Sequence, residues 1–248
     1  MSRPWIAGFE ARGAWLARDL GLEPVGQVIG NGVFIPIIVG TPATSMEVSS
    51  SSRLATTGWT SALDRLIADA KEMGADGVVD IRLSQRIIDQ ESGAKEFSGI
   101  GTAVRGLRRS GEIWSTILGP EDLAILLRSG FAPVRYVIGC CTWHQSVYPW
   151  QPKYANSLRS LAMMTPQEFD PGTKATYTAR EIAQERMAQM ANEAGASGIV
   201  AVTMRWNEMR GAIQEGAVCG CEAFGTAIVP ARGVSSLDVN CAIPLWGP

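Results

Sequence analysis

The stretch Ala70-Lys-Glu-Met-Gly-Ala-Asp-Gly-Val-Val79 returns 121 residues later as Ala191-Asn-Glu-Ala-Gly-Ala-Ser-Gly-Ile-Val200. Two further blocks recur around it in the same order. Upstream, Gly21-Leu-Glu-Pro-Val-Gly-Gln-Val-Ile-Gly30 matches Gly130-Phe-Ala-Pro-Val-Arg-Tyr-Val-Ile-Gly139 at an offset of 109. Downstream, Ile100-Gly-Thr-Ala-Val104 matches Phe224-Gly-Thr-Ala-Ile228 at an offset of 124. Ordered matches with slowly growing offsets indicate a duplicated unit with loop insertions in the second copy. The expected division is 1–111 and 112–248.

Each copy reads as the same series. A short amphipathic segment (Ala14 to Leu20; Glu121 to Arg128) precedes an apolar strand that starts at Val25 or Val134 and closes at Gly30 or Gly139. A loop, a helix, a strand, a turn and a last strand follow. In the second helix, Thr178 to Ala194, residues Ala179, Ile182, Ala183, Met187, Met190, Ala191 and Ala194 form one stripe, with Arg180, Glu181, Gln184, Glu185 and Glu193 away from it. Leu63, Leu66, Ile67, Ala70 and Met73 fill that role in the first copy. Gly74 and Gly195 suit the left-handed turn just past a helix end.

In the strand after the helix, Val79, Ile81 and Leu83 are expected on one face and Asp80 and Arg82 on the other, with Val200, Val202 and Met204 in phase with the first set. The last strand sets Gly99, Gly101 and Ala103 against Ile100, Thr102 and Val104, and the second copy repeats this with Ala223, Gly225 and Ala227 against Phe224, Thr226 and Ile228. The small-residue side admits a close helix. The bulkier side also needs cover, which a lone two-layer domain does not supply. That face is therefore expected to bury against the other copy or another subunit.

Composition narrows the functional classes. The 248 residues are 46% hydrophobic and 19% charged, a globular balance, and a net charge of -2 gives no basic field for nucleic acid or an anionic membrane. No stretch is apolar enough to span a bilayer, and the opening Met1-Ser-Arg-Pro-Trp-Ile is unlike a signal peptide, so a cytoplasmic location is expected. Five cysteines, Cys140, Cys141, Cys219, Cys221 and Cys241, fit reduced thiols better than a secreted disulfide framework.

The string from Ala70 to Arg82 with Phe97-Ser-Gly-Ile-Gly-Thr-Ala-Val104 resembles the core of the YbjQ-like family, and Tyr177 to Met187 with Gly195-Ala-Ser-Gly-Ile-Val200 resembles it again. The opening Pro-Val-x-x-Val-Ile-Gly of each copy is similar to the family's first strand. The resemblance implies an α+β chain of two tandem β-α-β-β, dodecin-like domains, each a three-stranded antiparallel sheet under one helix. It also implies ring-like homo-oligomers, commonly pentamers, and carries the family's heavy-metal-binding label without a shared ligand motif.

The strongest chemical candidate is the set Cys140, Cys141, His144, Cys219 and Cys221. If the first and last strands pair antiparallel, as the resemblance implies, thiols and the single imidazole converge, and such a soft set suits zinc or copper(I). The alternative is buried thiols packed like small hydrophobes. The first copy has Asn31, Gly32 and Phe97 at the places of Cys140, Cys141 and Cys221, so such a site is no property of the fold. No nucleophile elbow, phosphate loop or dinucleotide fingerprint appears. Asp76 reads as a turn residue, and Asp80 as facing solvent or pairing with Arg82 or Arg105.

The segments Thr41 to Ser52 and Pro149 to Pro171 read as long loops, with Ser49 to Ser52 mobile. Trp59, Trp114, Trp143, Trp150, Trp206 and Trp246 are placed mostly in loops or at element ends, as contact surfaces for another protein or as caps on small cores. The expectation is a non-enzymatic, ring-forming assembly or binding protein with no cofactor, and the alternative is a metal or small-ligand binder built on the cysteines.

Overall fold

The computed structural model describes residues 6–36, 42–107, 112–146, 168–210 and 216–231. The first copy runs α1 (Ala11–Asp19), β1 (Glu23–Phe34), β2 (Met46–Glu47), α2 (Ser49–Glu72), β3 (Gly77–Asp89) and β4 (Ala94–Arg105). The second runs β5 (Trp114–Ser115), α3 (Pro120–Arg128), β6 (Phe131–Gln145), α4 (Asp170–Glu193), β7 (Gly198–Arg210) and β8 (Ala217–Pro230). The fold is α+β, with tandem β-α-β-β units on two antiparallel-rich sheets, as the repeat reading expects.

The sheets have the orders β1-β4-β3-β5 and β2-β6-β8-β7. In each, the last strand is central and pairs antiparallel with the first strand and with the strand after the long helix. The short strands are exchanged. β2, from the first copy, pairs with the outer edge of β6, and β5, leading into the second copy, pairs in parallel with β3.

Several boundaries differ from expectation. The first strands do not close at Gly30 and Gly139 but run on to Phe34 and Gln145, carrying Cys140, Cys141 and His144 within β6. α4 begins about two turns before the expected Thr178, and α2 begins inside the segment expected to be a loop. Ser49 to Ser52 form the first turn of α2, where Ser52 is buried and its Oγ accepts the Thr142 N–H at 2.8 Å. Asp170 and Pro171 open α4, a proline being tolerated where no helical acceptor awaits its nitrogen. Both helices end at positive-φ glycines, Gly74 and Gly195, as expected.

The strict alternation expected after the helices is broken by a duplicated bulge. Asp80 has φ 53° and Ala201 φ 52°, at matching positions, and the pairing register shifts across each. Val79 therefore packs in a different cluster from Ile81 and Leu83, and Val202 is exposed while Ile199 and Met204 approach α4. In the first copy the bulge turns backbone N–H groups outward. The Asp80 N–H donates to the Leu118 carbonyl at 2.9 Å and the Ile81 N–H to the Thr116 carbonyl at 3.2 Å. Asp76 accepts the Gly106 N–H, and Asp80 pairs with Arg82.

Each long helix lies close on its own sheet because the first strand has a glycine beneath it. A Cβ at Gly30 would run into the Ala62 carbonyl of α2, and one at Gly139 into the Ala183 carbonyl of α4. The closest approach is thus at the first strand, while Gly99 of the last strand sits against Leu66 and Leu83.

Candidate functional site

The two copies are not packed as mirror images. The face of the second sheet turned away from α4 carries Tyr136, Ile138, Cys140 and Phe224, and it is buried in one core with Trp59, Leu63, Ile81 and Phe97 of the first copy. Trp59 stands at the centre, fully buried in mid-helix. Its ring meets Phe97 edge-on at 4.9 Å and Phe224 at 5.5 Å. Such T-shaped pairs stabilise by about 0.5–1.5 kcal/mol beyond area burial. Polar contacts tie the β5 segment, which pairs with β3 of the first copy, to the second sheet. Thr116 and Thr226 hydroxyls meet at 2.9 Å, and the Tyr136 N–H donates to Ser115 Oγ at 2.9 Å.

Among the described residues the matching face of the first sheet has no such cover. Ile29, Val33 and Ile100 are 52%, 56% and 42% exposed, whereas Ile138 and Phe224, which match Ile29 and Ile100, are 5% and 1% exposed. Thr102, on the same face, is buried and accepts the Gly8 N–H at 2.9 Å. One face of the duplicated fold is therefore satisfied within the chain and its counterpart is open.

An ion pair closes the seam between the copies. Arg186 of α4 donates to both carboxylate oxygens of Glu47, at 2.7 and 2.9 Å, and also to the Cys140 carbonyl at 2.7 Å. The hydrogen bond from Arg186 holds the Glu47 carboxyl below its ordinary range. A cleft of about 470 Å³ opens beside this pair, lined by residues that include Ser49, Thr56, Gln189 and Glu193.

The cysteine set divides between the two sheet faces. β6 and β8 do pair antiparallel, placing Cys141 opposite Cys221 and Trp143 opposite Cys219. Cys141 and Cys221 pack with Ala179 and Ala183 under α4, and Cys219 lies near Thr176 of the same helix. Cys140, one residue from Cys141, points to the opposite face and packs in the inter-copy core. His144, also buried, has Nδ1 at 3.0 Å from the Thr44 carbonyl. Among the described residues no group of three or more His, Cys, Asp or Glu has metal-holding geometry. Burial pushes the thiols of Cys141 up to about 12 and Cys221 up to about 11, and raises Cys140 further. Cys241 lies outside the described residues.

A residue unremarked in the sequence is Glu222. It is 3% exposed, on the face of β8 toward the first copy, beside Asn207 at 3.4 Å. Burial raises its carboxyl above the ordinary range, with the Arg205 charge acting the other way.

The tryptophans sort differently from the loop placement. Trp59 is a core residue of α2, Trp114 is buried in β5, Trp143 lies within β6, and Trp206 is an exposed residue of β7. Trp150 and Trp246 lie outside the described residues.

Comparison with known proteins agrees with this architecture. The model of the YbjQ family, described as "Putative heavy-metal-binding", matches residues 42–106 and 153–231, more than half of the chain in two segments. The chain belongs to the YbjQ-like family. Its two matched segments correspond to the two copies. The chain is also similar to the encapsulin nanocompartment protein Rv1762c of Mycobacterium tuberculosis, with 34% identity over 199 residues, covering 75% of this chain and 72% of that protein. Among the described residues no helix is long and apolar enough to cross a membrane.

Proposed function

We propose that this YbjQ-like chain is a non-enzymatic assembly protein that acts by self-association, and that it serves as a component of a protein nanocompartment. The observation that carries the reading is the open face of the first sheet. Ile29 and Ile100 lie exposed where the duplicated positions Ile138 and Phe224 are buried, and Val33 is exposed on the same face. Leaving apolar area in water forgoes roughly 25 cal/mol per Å². Contiguous exposed patches of this sort mark sites of association. The name of the mycobacterial relative supports the nanocompartment part, and family membership supports the non-enzymatic part.

Light scattering on the full chain at micromolar concentration tests self-association. The expected mass is a multiple of the 26.5 kDa chain; a clean monomer overturns the reading. The nanocompartment part is tested by co-expression with a shell-forming encapsulin from the same genome. Co-purification of closed shells carrying the chain is expected, and shells lacking it remove that part alone.

A metal-binding reading is favoured by the family description and by Cys141 standing opposite Cys221 with Cys219 nearby. Thiolate ligation must then overcome the burial that keeps Cys141 and Cys221 protonated. Elemental analysis of untagged protein purified without chelator decides it. About one zinc or copper per chain supports the reading, and substoichiometric metal ends it.

A further inference from the structure

The seam between the two copies is head-to-tail. What the first copy gives (the outer side of α2, the strand β2 and the outer edge of β3) differs from what the second copy receives it with (the back of β6 and β8, the edge of β6 and the segment from Trp114 to Leu118). An interface between unlike surfaces of like units does not exhaust itself. The second copy still has its own giving surface, and the first copy its own receiving surface. Among the described residues both are open. β7 and β1 have unpaired outer edges among the described residues, and they match the covered edges of β3 and β6. Val202 of β7 is exposed where the matching Ile81 of β3 is buried, and Ala201 is exposed where the matching Asp80 is half-buried.

The ion pair at the seam is also duplicated, with its halves separated. Arg65 stands 121 residues before Arg186, and it donates to the Asn31 carbonyl as Arg186 donates to the Cys140 carbonyl, 109 residues on. Arg186 also clasps Glu47, whereas Arg65 has no carboxylate partner among the described residues. The residue 121 beyond Glu47 is Glu168. It is exposed, just ahead of α4 as Glu47 is just ahead of α2, and its carboxylate accepts the Thr173 hydroxyl at 2.8 Å. An arginine with no carboxylate partner among the described residues lies on the receiving surface, and an exposed glutamate lies on the giving surface.

We propose that a second copy of this chain docks head-to-tail, the α4 side of one chain on the open back of the first sheet of the next, with Glu168 of one chain paired to Arg65 of the other. This rests on the self-association proposed above and adds its mode and its contact. Apolar residues accompany the pair on each side: Ile29 and Ile100 on the receiving surface, Tyr177 and Val202 on the giving one. The seam between chains is more polar than the seam within a chain, in a matched way. Arg180 stands where α2 has Trp59, and Gln27 where β6 has Tyr136. Surfaces that are exposed until chains meet carry more polar groups than surfaces buried as the chain folds.

The test uses full-length chains with the charges reversed. R65E and E168R are prepared separately, checked for native circular dichroism, and measured by light scattering across a dilution series. Each alone is expected to shift the dissociation midpoint by at least tenfold toward higher concentration. Mixing the two restores assembly, since every seam in an alternating array again joins opposite charges. Unchanged assembly of both single variants overturns this contact while leaving self-association standing, and so does a mixture that fails to reassemble. A wild-type monomer overturns both. Assembly lost in each variant and regained in the mixture bears the proposal out.

Discussion

A thiol ionises readily only where a positive charge or solvent stabilises the thiolate. At Cys140, Cys141 and Cys221 burial outweighs the nearby arginine charge, Arg186 for the first two and Arg180 for the third, and holds the protons in place. Cys219 is likewise buried. Alkylation at pH 8 followed by peptide mass spectrometry is expected to leave all four unmodified in the folded protein and to label all four after denaturation. Rapid labelling of any of them in the native state would place that thiol at a functional surface. Glu222 gives a second residue-level prediction. Its carboxyl is raised in the folded protein, so ionisation costs stability as pH rises from the unfolded carboxylate range through the folded value. Glu222→Gln should therefore raise the melting temperature at pH 7 to 8, and the gain should vanish as pH falls below about 4, where both states are protonated. A gain of equal size at all pH values would mean that packing, not charge, is responsible. The cysteine pairing was legible in the sequence because the two flanking strands were. The division of the set was also present there, since adjacent Cys140 and Cys141 must point to opposite faces of one strand. Glu222 left a signal too, as a lone charge within the otherwise uncharged β8.

At the scale of elements, the repeat blocks located every major strand and helix, because apolar period and glycine stops carry that information locally. What they missed was set by contacts remote in sequence. Serines favour loops on propensity alone, yet Ser49 to Ser52 are helical because Ser52 and the Val48 N–H bind the Thr142 backbone of β6. The bulges at Asp80 and Ala201 likewise have no local signature, since neither residue is glycine. A left-handed non-glycine residue costs on the order of 1 kcal/mol or more, and at Asp80 two N–H groups gain partners in the segment Thr116 to Leu118. The glycine seats under the long helices are the opposite case, legible and decisive. In Gly139→Ala the new methyl would strike the Ala183 backbone, which cannot move without lifting α4 from the sheet. A loss of about 1–3 kcal/mol is expected, read as a lower urea midpoint with unchanged slope. The control is Gly198→Ala, where the nearest atom to a new Cβ is the Ile228 side chain at 3.7 Å, so the midpoint should hardly move. Equal effects at both sites would show that α4 is not seated on Gly139.

At the scale of the whole molecule, duplication has been followed by exchange, so that neither copy carries its own complete sheet. β2 belongs by sequence to the first copy and by hydrogen bonding to the second sheet, and β5 reverses the arrangement. The aromatic cluster of Trp59 with Phe34, Phe97, Phe224 and Tyr136 takes members from both copies. Burying each such side chain stabilises by roughly 1.5–3 kcal/mol relative to exposure, a large share of the 5–15 kcal/mol that holds an ordinary domain together. Separating residues 1–111 from 112–248 would expose Tyr136, Ile138 and Phe224 together and strip one edge strand from each sheet. Neither fragment alone is therefore expected to give a stable soluble monomer. Co-expressed, the two should purify as a one-to-one complex with the circular dichroism of the intact chain. The intact chain should unfold in one transition, with tryptophan fluorescence and circular dichroism changing together, because Trp59 reports on the seam and the helices report on both copies. Two resolved transitions, or a fragment that is soluble and folded by itself, would mean that the seam is an optional contact between independent domains.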